Sequence, residues 1–437
     1  MNVKIPHQYN DGQIVALLPD GRVEFFDESV EAEILSINAE KKPFDPGFFT
    51  RHIISDPLVD LDNFYLSGPA IAFIEITNFC NLTCKHCYAF SGPKDKREDE
   101  LTREEILDLL DQFEELGVLQ VFLTGGEVFA HPNAVEIINY AKTKSFTTQI
   151  FTNGTLIKER HLSKIPEGTS FLVSFDTADP VKTVRGGMDY PILKEKFRLF
   201  EKYNHPFRTA VSVHNHNIDD VFGIFSWCEK NEFPRPQWME THPIGRALLH
   251  KDILIPKEKV GQVIEIYQQC MDRFSKQCPQ DEWEQLEEEN DGFQITNIQT
   301  IKFCQRLERA TRREKCSRTM VYVNSAGDVY PCSNCMSNGS HKGGNIRENS
   351  FVDIWDYGFD KFRKITFDDF SDCSTCPVEK EGIWCQFRCP PLSQNVSKSS
   401  TSCGSTEYLK EFMLRSNQYW KKREKEGREL TMYSSRV

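Results

Sequence analysis

The chain has 437 residues and a formal net charge of -12, with 53 Lys and Arg against 65 Asp and Glu. Its cations are dispersed, apart from a tail around Lys421, Lys422 and Arg423 that reads as a solvated helix end, so no face for nucleic-acid phosphates is expected. No apolar run reaches membrane-spanning length and residues 1–11 carry no signal-peptide core. That predicts a cytoplasmic protein with no membrane partner, whose fifteen cysteines serve metal rather than disulfides.

The predicted elements fall into successive units. Residues 13–18 and 22–26 are strand-like and meet across Asp20-Gly21, a hairpin signal, and 29–37 reads as a helix. Residues 1–66 are therefore a small α+β unit. An apolar, β-branched run at 70–77 predicts a buried strand. A helix follows at 101–116, with Thr102-Arg103-Glu104-Glu105 resembling a capping box. Strands are then expected at 119–123, 147–151, 170–175, 209–213 and 237–240, and helices at 132–142, 193–202 and 219–229. Repeated βα units of this length imply a parallel sheet with helices outside, here a partial (β/α)6 barrel over 67–279. An acidic linker is expected at 280–303. Residues 304–410 hold nine cysteines amid turns and too little apolar content for a core, so metal clusters would replace one. A helical tail, 411–437, ends the chain.

Cys80, Cys84 and Cys87 stand in Asn78-Phe79-Cys80-Asn81-Leu82-Thr83-Cys84-Lys85-His86-Cys87-Tyr88, directly after the first predicted barrel strand. Three thiolates leave the fourth iron of a four-iron cluster open for chemistry, whereas four would close it. A zinc knuckle would need a second C-x2-C or His pair nearby, and none follows Tyr88 until far down the chain. His86 is at most an outer neighbour of such a cluster. Cys228, Cys270 and Cys278 fit no pattern and read as small apolar residues.

This C-x3-C-x2-C motif resembles that of the radical S-adenosylmethionine (SAM) superfamily. The resemblance implies a [4Fe-4S] cluster on Cys80, Cys84 and Cys87 that binds SAM and generates a 5′-deoxyadenosyl radical, chemistry that no side chain can supply. Thr124-Gly125-Gly126-Glu127 is similar to the superfamily's GGE motif. It implies that Gly125 and Gly126 let backbone approach the SAM methionine while Glu127 holds its ammonium. By the same resemblance Tyr88 places backbone near adenine, Ser174 and Asp176 meet the ribose, and Asn153 and Arg185 are further cofactor contacts. Turn formation alone also accounts for Asn153 and Arg185.

Cys316-x10-Gly327-x4-Cys332, then Cys373-x2-Cys376-x8-Cys385-x3-Cys389 and Cys403, resembles the SPASM domain with its two auxiliary [4Fe-4S] clusters. The interval between Cys376 and Cys385 is longer than the usual pattern and reads as a loop insertion. The resemblance gives Cys316, Cys332 and Cys389 to auxiliary cluster I, and Cys373, Cys376, Cys385 and Cys403 to cluster II. Three clusters are thus expected. Cys304 and Cys335 compete for the last place on cluster I. Relatives take it from just upstream, which favours Cys304, while Cys335 lies close to Cys332; with neither bound, that iron is open to a substrate thiolate.

The stretch 124–134 looks like the corresponding stretch of sactipeptide maturases of the subtilosin type. The hairpin-then-helix order of 1–66 looks like the start of a PqqD-like peptide-recognition element, whose sheet edge could take a leader peptide as an added strand. A small cap on the barrel is the other reading of that unit. The implied partners are a ribosomally made precursor peptide and a flavodoxin- or ferredoxin-type electron donor, and the implied product is a thioether or other crosslink. The anaerobic sulfatase-maturing enzymes are an alternative, but they carry a basic Asp after the cysteine matching Cys332, where this chain has Ser333. A small-molecule-oxidising SPASM enzyme is a further alternative. A non-catalytic electron-transfer protein would not need the SAM-binding constellation.

Overall fold

The computed structural model describes residues 4–10, 12–19, 22–54, 65–94, 99–177, 183–188, 190–274, 303–304, 307, 316–365, 375–381, 383 and 407–425. The chain opens with β1 (His7–Asn10), β2 (Gln13–Leu17) and β3 (Val23–Asp27), antiparallel in that order, then α1 (Glu31–Asn38) and α2 (Pro46–Arg51). The expected hairpin is β2–β3. β1, His-Gln-Tyr-Asn, has no apolar alternation to betray it; its side chains instead bond to the barrel, Gln8 Nε2 to the Gly117 carbonyl (3.4 Å) and Gln8 Oε1 to the Gly68 amide (3.0 Å). The far edge of β3 is also engaged. The amide of Asp27 donates to the His52 carbonyl and that of Ile54 to the Phe25 carbonyl, so residues 52–54 cover it.

Next come β4 (Ile71–Glu75), β5 (Thr83–Cys84), α3 (Arg103–Glu115), β6 (Gln120–Thr124), α4 (Ala134–Ala141), β7 (Thr147–Thr152) and α5 (Glu159–Leu162). β8 (Ser170–Ser174), β9 (Arg185–Gly186), α6 (Tyr190–Lys202), β10 (Phe207–Val213), α7 (Val221–Lys230), β11 (Gln237–Glu240) and α8 (Val260–Phe274) complete this unit. Six strands are parallel in the order β4-β6-β7-β8-β10-β11, the half-open barrel that the sequence predicts. The capping box on Thr102 and Glu105 forms. Side chains alternate along each strand, so one inner layer is aromatic and the next polar. Phe73 stacks on Phe122 (4.6 Å between centroids), which meets Phe151 (5.1 Å). Two residues further along β4 and β6, Glu75 and Thr124 face the same way.

The C-terminal third departs from expectation. β12 (Met320–Val323), β13 (Asp328–Tyr330), α9 (Ser333–Asn338), β14 (Gly344–Asn345), α10 (Phe351–Tyr357), α11 (Asp360–Arg363), α12 (Pro377–Lys380) and α13 (Glu407–Lys425) are regular elements rather than loops. β12 pairs in parallel with the free side of β4, Met320 opposite Ile71 through Val323 opposite Ile74, and β13 and β14 extend one nine-stranded sheet. Val321, Val323, Val329, Phe351, Trp355 and Phe359 join the barrel's own apolar core. This region therefore has a core, borrowed from its neighbour, and the expectation that metal alone replaces it is corrected. Trp355 Nε1 donates to the Leu66 carbonyl (2.8 Å). Arg363 lies 3.6 Å over the Tyr65 ring while its Nε donates to the Ser317 carbonyl (2.7 Å). Residues 280–302 of the expected linker lie outside the described residues, and the terminal helix begins at Glu407 rather than at 411. On the barrel's flank Tyr408 of α13 donates to Glu240 (3.0 Å), whose carboxyl burial pushes up to about 7.

Candidate active site

The cysteine loop leaves the C-terminal end of β4, the end at which barrel enzymes gather their chemistry. Cys80 and Cys84 are buried and Cys87 is half-buried. Burial pushes the Cys80 thiol up to about 12 and that of Cys84 up to about 11, so neither is a thiolate at neutral pH without a metal to make it one. Three N–H groups already face the sulfurs: Leu82 N to Cys80 (3.4 Å), Asn153 Nδ2 to Cys80 (3.8 Å) and Arg185 Nη1 to Cys84 (3.9 Å). Soft donors with N–H groups directed at them fit an iron-sulfur cluster. Among the described residues no three Cys, His, Asp or Glu side chains converge on a single-ion site. A four-iron cluster asks less, because it takes its thiolates at separate corners of a cube.

The GGE segment braces this loop. The Gly126 amide donates to Thr77 O (2.7 Å) and the Glu127 amide to Phe79 O (2.9 Å), and a Cβ on Gly126 would overlap the Phe79 carbonyl. The glycines thus permit close packing of two backbones, whereas the sequence reading had them opening space for SAM. Glu127 is buried and accepts from Thr152 Oγ1 (2.6 Å), the Asn153 amide (2.7 Å) and the Phe129 amide (3.1 Å). Burial raises its carboxyl pKa, and those donors oppose the rise. Asn153 belongs to the same bracing: besides Cys80, its Nδ2 donates to Asn81 Oδ1 (3.0 Å).

Arg185 pairs backbone to backbone with Cys84 through β9 and β5. Its Nε and Nη2 hold Asp176 at 2.5 and 3.1 Å, and Asp176 also accepts from the Ser212 amide (2.9 Å). Burial alone would raise the Asp176 carboxyl, but Arg185 beside it holds the pKa below the usual carboxylate value. The Asp176 side chain is fully buried against Arg185 and orients its guanidinium. His86 Nε2 is 3.8 Å from the same carboxylate, and burial drives that imidazole down to about 3, so it is neutral. Ser174 is half-buried at the end of β8. Tyr88, after the last cysteine, has its hydroxyl 3.3 Å from that of Tyr322, which donates to buried Glu75 (3.0 Å).

Sequence reasoning missed three braces of the loop. Glu100 accepts from the Asn78 amide (2.7 Å), and the Arg246 amide donates to Cys87 O (3.0 Å). Gly245, at φ +55, is packed so tightly on Cys87 and Tyr88 that a side chain has no room. Only the left-handed glycine hinted at such a contact, since neither charged residue lies in a motif.

Cys316, Cys332 and Cys335 share one buried group with Ala89, Tyr322, Tyr330 and Phe362, against which Cys87 and Tyr88 also pack. Cys304 is buried elsewhere, among Phe25, Phe303, Leu307, Ile71 and Leu119, where the N-terminal sheet meets the barrel. Cys376 is half-buried beside α12. Cys373, Cys385, Cys389 and Cys403 lie outside the described residues. Cys228 and Cys270 are core residues, as expected, and Cys278 is not described.

Residues 74–228 match the Radical SAM superfamily model and residues 315–377 the SPASM iron-sulfur cluster-binding domain. The chain thus carries a radical SAM domain followed by a SPASM domain. These domains mark an enzyme that uses SAM and iron-sulfur clusters. It is 28% identical over 224 residues to the antilisterial bacteriocin subtilosin biosynthesis protein AlbA of Bacillus subtilis, a match spanning 48% of each chain, so about half of that relative. It is 24% identical to the PqqA peptide cyclase of Granulibacter bethesdensis over 74% of this chain and 83% of that one. Among solved structures, Streptococcus suis SuiB bound to precursor peptide SuiA superposes with a TM-score of 0.65 at 15% identity, over 92% of this chain and 98% of the other. Among the described residues no helix is long and apolar enough to cross a membrane.

Proposed function

We infer that this enzyme modifies a ribosomally made peptide, forming a thioether or another crosslink, with three [4Fe-4S] clusters and a small electron-transfer protein as reductant. One observation carries the reading: the Cys316, Cys332 and Cys335 thiols pack in a single buried group with Cys87 and Tyr88 of the SAM-cluster loop. An auxiliary centre built there adjoins the radical site, as a substrate that must lose an electron after losing a hydrogen atom requires. The names of its relatives, a bacteriocin biosynthesis protein and a peptide cyclase, agree with a peptide substrate.

When bound, the reduced cluster and SAM supply a 5′-deoxyadenosyl radical that abstracts hydrogen. The chain's residues prepare that event. Cys80, Cys84 and Cys87 hold the cluster, and the backbones of Gly126 and Glu127 fix the loop. Arg185, set by Asp176, offers a charge for the SAM carboxylate, and Glu127 keeps acceptor capacity for the ammonium. Ser333 after Cys332 favours this reading over sulfatase maturation, because it cannot act as a base at neutral pH. Both edges of the β2–β3 hairpin are covered, one by β1 and the other by residues 52–54, which favours a packed cap over a leader strand added to that hairpin. The compartment consistent with reduced thiols is the cytoplasm.

The test is anaerobic incubation of reconstituted enzyme with SAM, reductant and a cysteine-containing ribosomal peptide. Crosslinking removes two hydrogens, read by mass spectrometry, with 5′-deoxyadenosine formed in step. Conversion of a sulfatase peptide's cysteine to formylglycine would replace this reading with the alternative.

A further inference from the structure

The described residues separate the two cysteines that compete for auxiliary cluster I. We propose that Cys335, rather than Cys304, ligates that cluster beside Cys316 and Cys332. The inference rests on the cluster-binding reading above and names its metal site more closely.

Cys332 precedes α9 and Cys335 lies within its first turn, three residues on, a spacing that brings side chains to one helix face. Their Sγ atoms are 3.8 Å apart, so both thiols open onto the same buried space, in which a turn about the side-chain torsions would set them on separate irons. Cys335 has no solvent exposure, and Cys316 and Cys332 are 6% and 5% exposed in the same buried group. The three thiols thus share a site closed to water, the setting of a cluster rather than of a reactive surface thiol. C-x2-C is itself a recurrent cluster-binding spacing.

Cys304 has different neighbours. Phe25 comes from the N-terminal sheet, Ile71 from the start of β4, and Leu119 from just before β6, so the thiol plugs the seam between two units. Phe73 and Met320 pack against both groups, which puts an apolar partition where a shared metal site would have to be. The SPASM match begins at residue 315. It includes Cys316, Cys332 and Cys335 together.

The experiment compares Cys304→Val, Cys335→Ala and Cys335→Ser with the parent protein, each reconstituted anaerobically with iron and sulfide. Iron is counted, and the clusters are read by Mössbauer and electron paramagnetic resonance spectroscopy, without substrate or SAM. The parent should hold about twelve irons in three four-iron clusters. Cys304→Val should keep that count and the parent spectrum. Both Cys335 variants should lose about one to four irons or show a three-iron signal at one auxiliary site. Loss of a cluster in Cys304→Val, with parent spectra in the Cys335 variants, overturns the proposal. So does a parent spectrum in all three. If the Cys335 variants do not fold, Cys304→Val decides alone: a lost cluster refutes, a complete set supports. A parent protein holding only about four irons would instead sink the auxiliary-cluster reading itself.

Discussion

Replacing Asp176 with Asn tests whether this carboxylate serves the ribose or Arg185. The amide keeps the size of the side chain and an oxygen for the Ser212 amide, but it removes the charge opposite a guanidinium that is itself only 8% exposed. Two charge-assisted bonds are weakened, those at 2.5 and 3.1 Å, and breaking a buried pair from one side costs about 3–5 kcal/mol. Part of this falls on stability and part on the placement of Arg185. If about 1.4 kcal/mol is expressed in the site, the dissociation constant for SAM rises about tenfold. Anaerobic calorimetry with SAM and, separately, with 5′-deoxyadenosine distinguishes the roles, since the second ligand has the ribose and lacks the methionine. The expected result is weakened SAM binding with unchanged 5′-deoxyadenosine binding. Equal weakening of both would refute the reasoning and restore the ribose contact.

Gly126→Ala should dislodge the cysteine loop, because its Cβ meets backbone that cannot rotate away, and iron content should fall by about a third. Arg363→Ala should lower unfolding free energy by about 2–3 kcal/mol in denaturant titration, from the lost stack on Tyr65 and the bond to Ser317. The Glu105–Arg347 pair, at 2.5 and 2.8 Å, joins barrel to auxiliary domain, and Arg347 pulls the Glu105 carboxyl down to about 2. A depressed folded pKa stabilises above the unfolded value near 4.5 and loses its effect as pH falls toward 2. The penalty of Arg347→Ala, about 0.5–1 kcal/mol, should therefore be present at pH 6 and shrink below pH 4; a penalty independent of pH would exclude the ion pair as its source.

The barrel was legible because each of its strands is a short apolar run followed by a helix of clear period, as 170–175 and 193–202 illustrate. The three site cysteines were legible because their spacing is local. What escaped depends on long-range partners. β12 is a four-residue Met-Val-Tyr-Val run among glycines and cysteines, and it becomes a strand only because β4 offers it an edge. The pairing of Asp176 with Arg185 escaped for a similar reason: position at a strand end says that Asp176 is near the site, while Arg185 arrives from a separate two-residue strand. Sequence position favoured Cys304 over Cys335, whereas packing sets the two thiols in different buried groups.

The parallel pairing of β4 with β12 joins residues about 250 positions apart in the chain. Closing so long a loop costs about 5 kcal/mol in chain entropy, so this contact forms late in folding. At about 5–20 residues per second, a ribosome takes roughly 10–50 seconds to make the stretch between them. Through that interval β4 shows one side of bare amide and carbonyl groups, directly before the loop that must receive a cluster. Such an edge is a template for pairing with another nascent chain. Shortened proteins ending before β12 should therefore aggregate instead of folding as free-standing barrels.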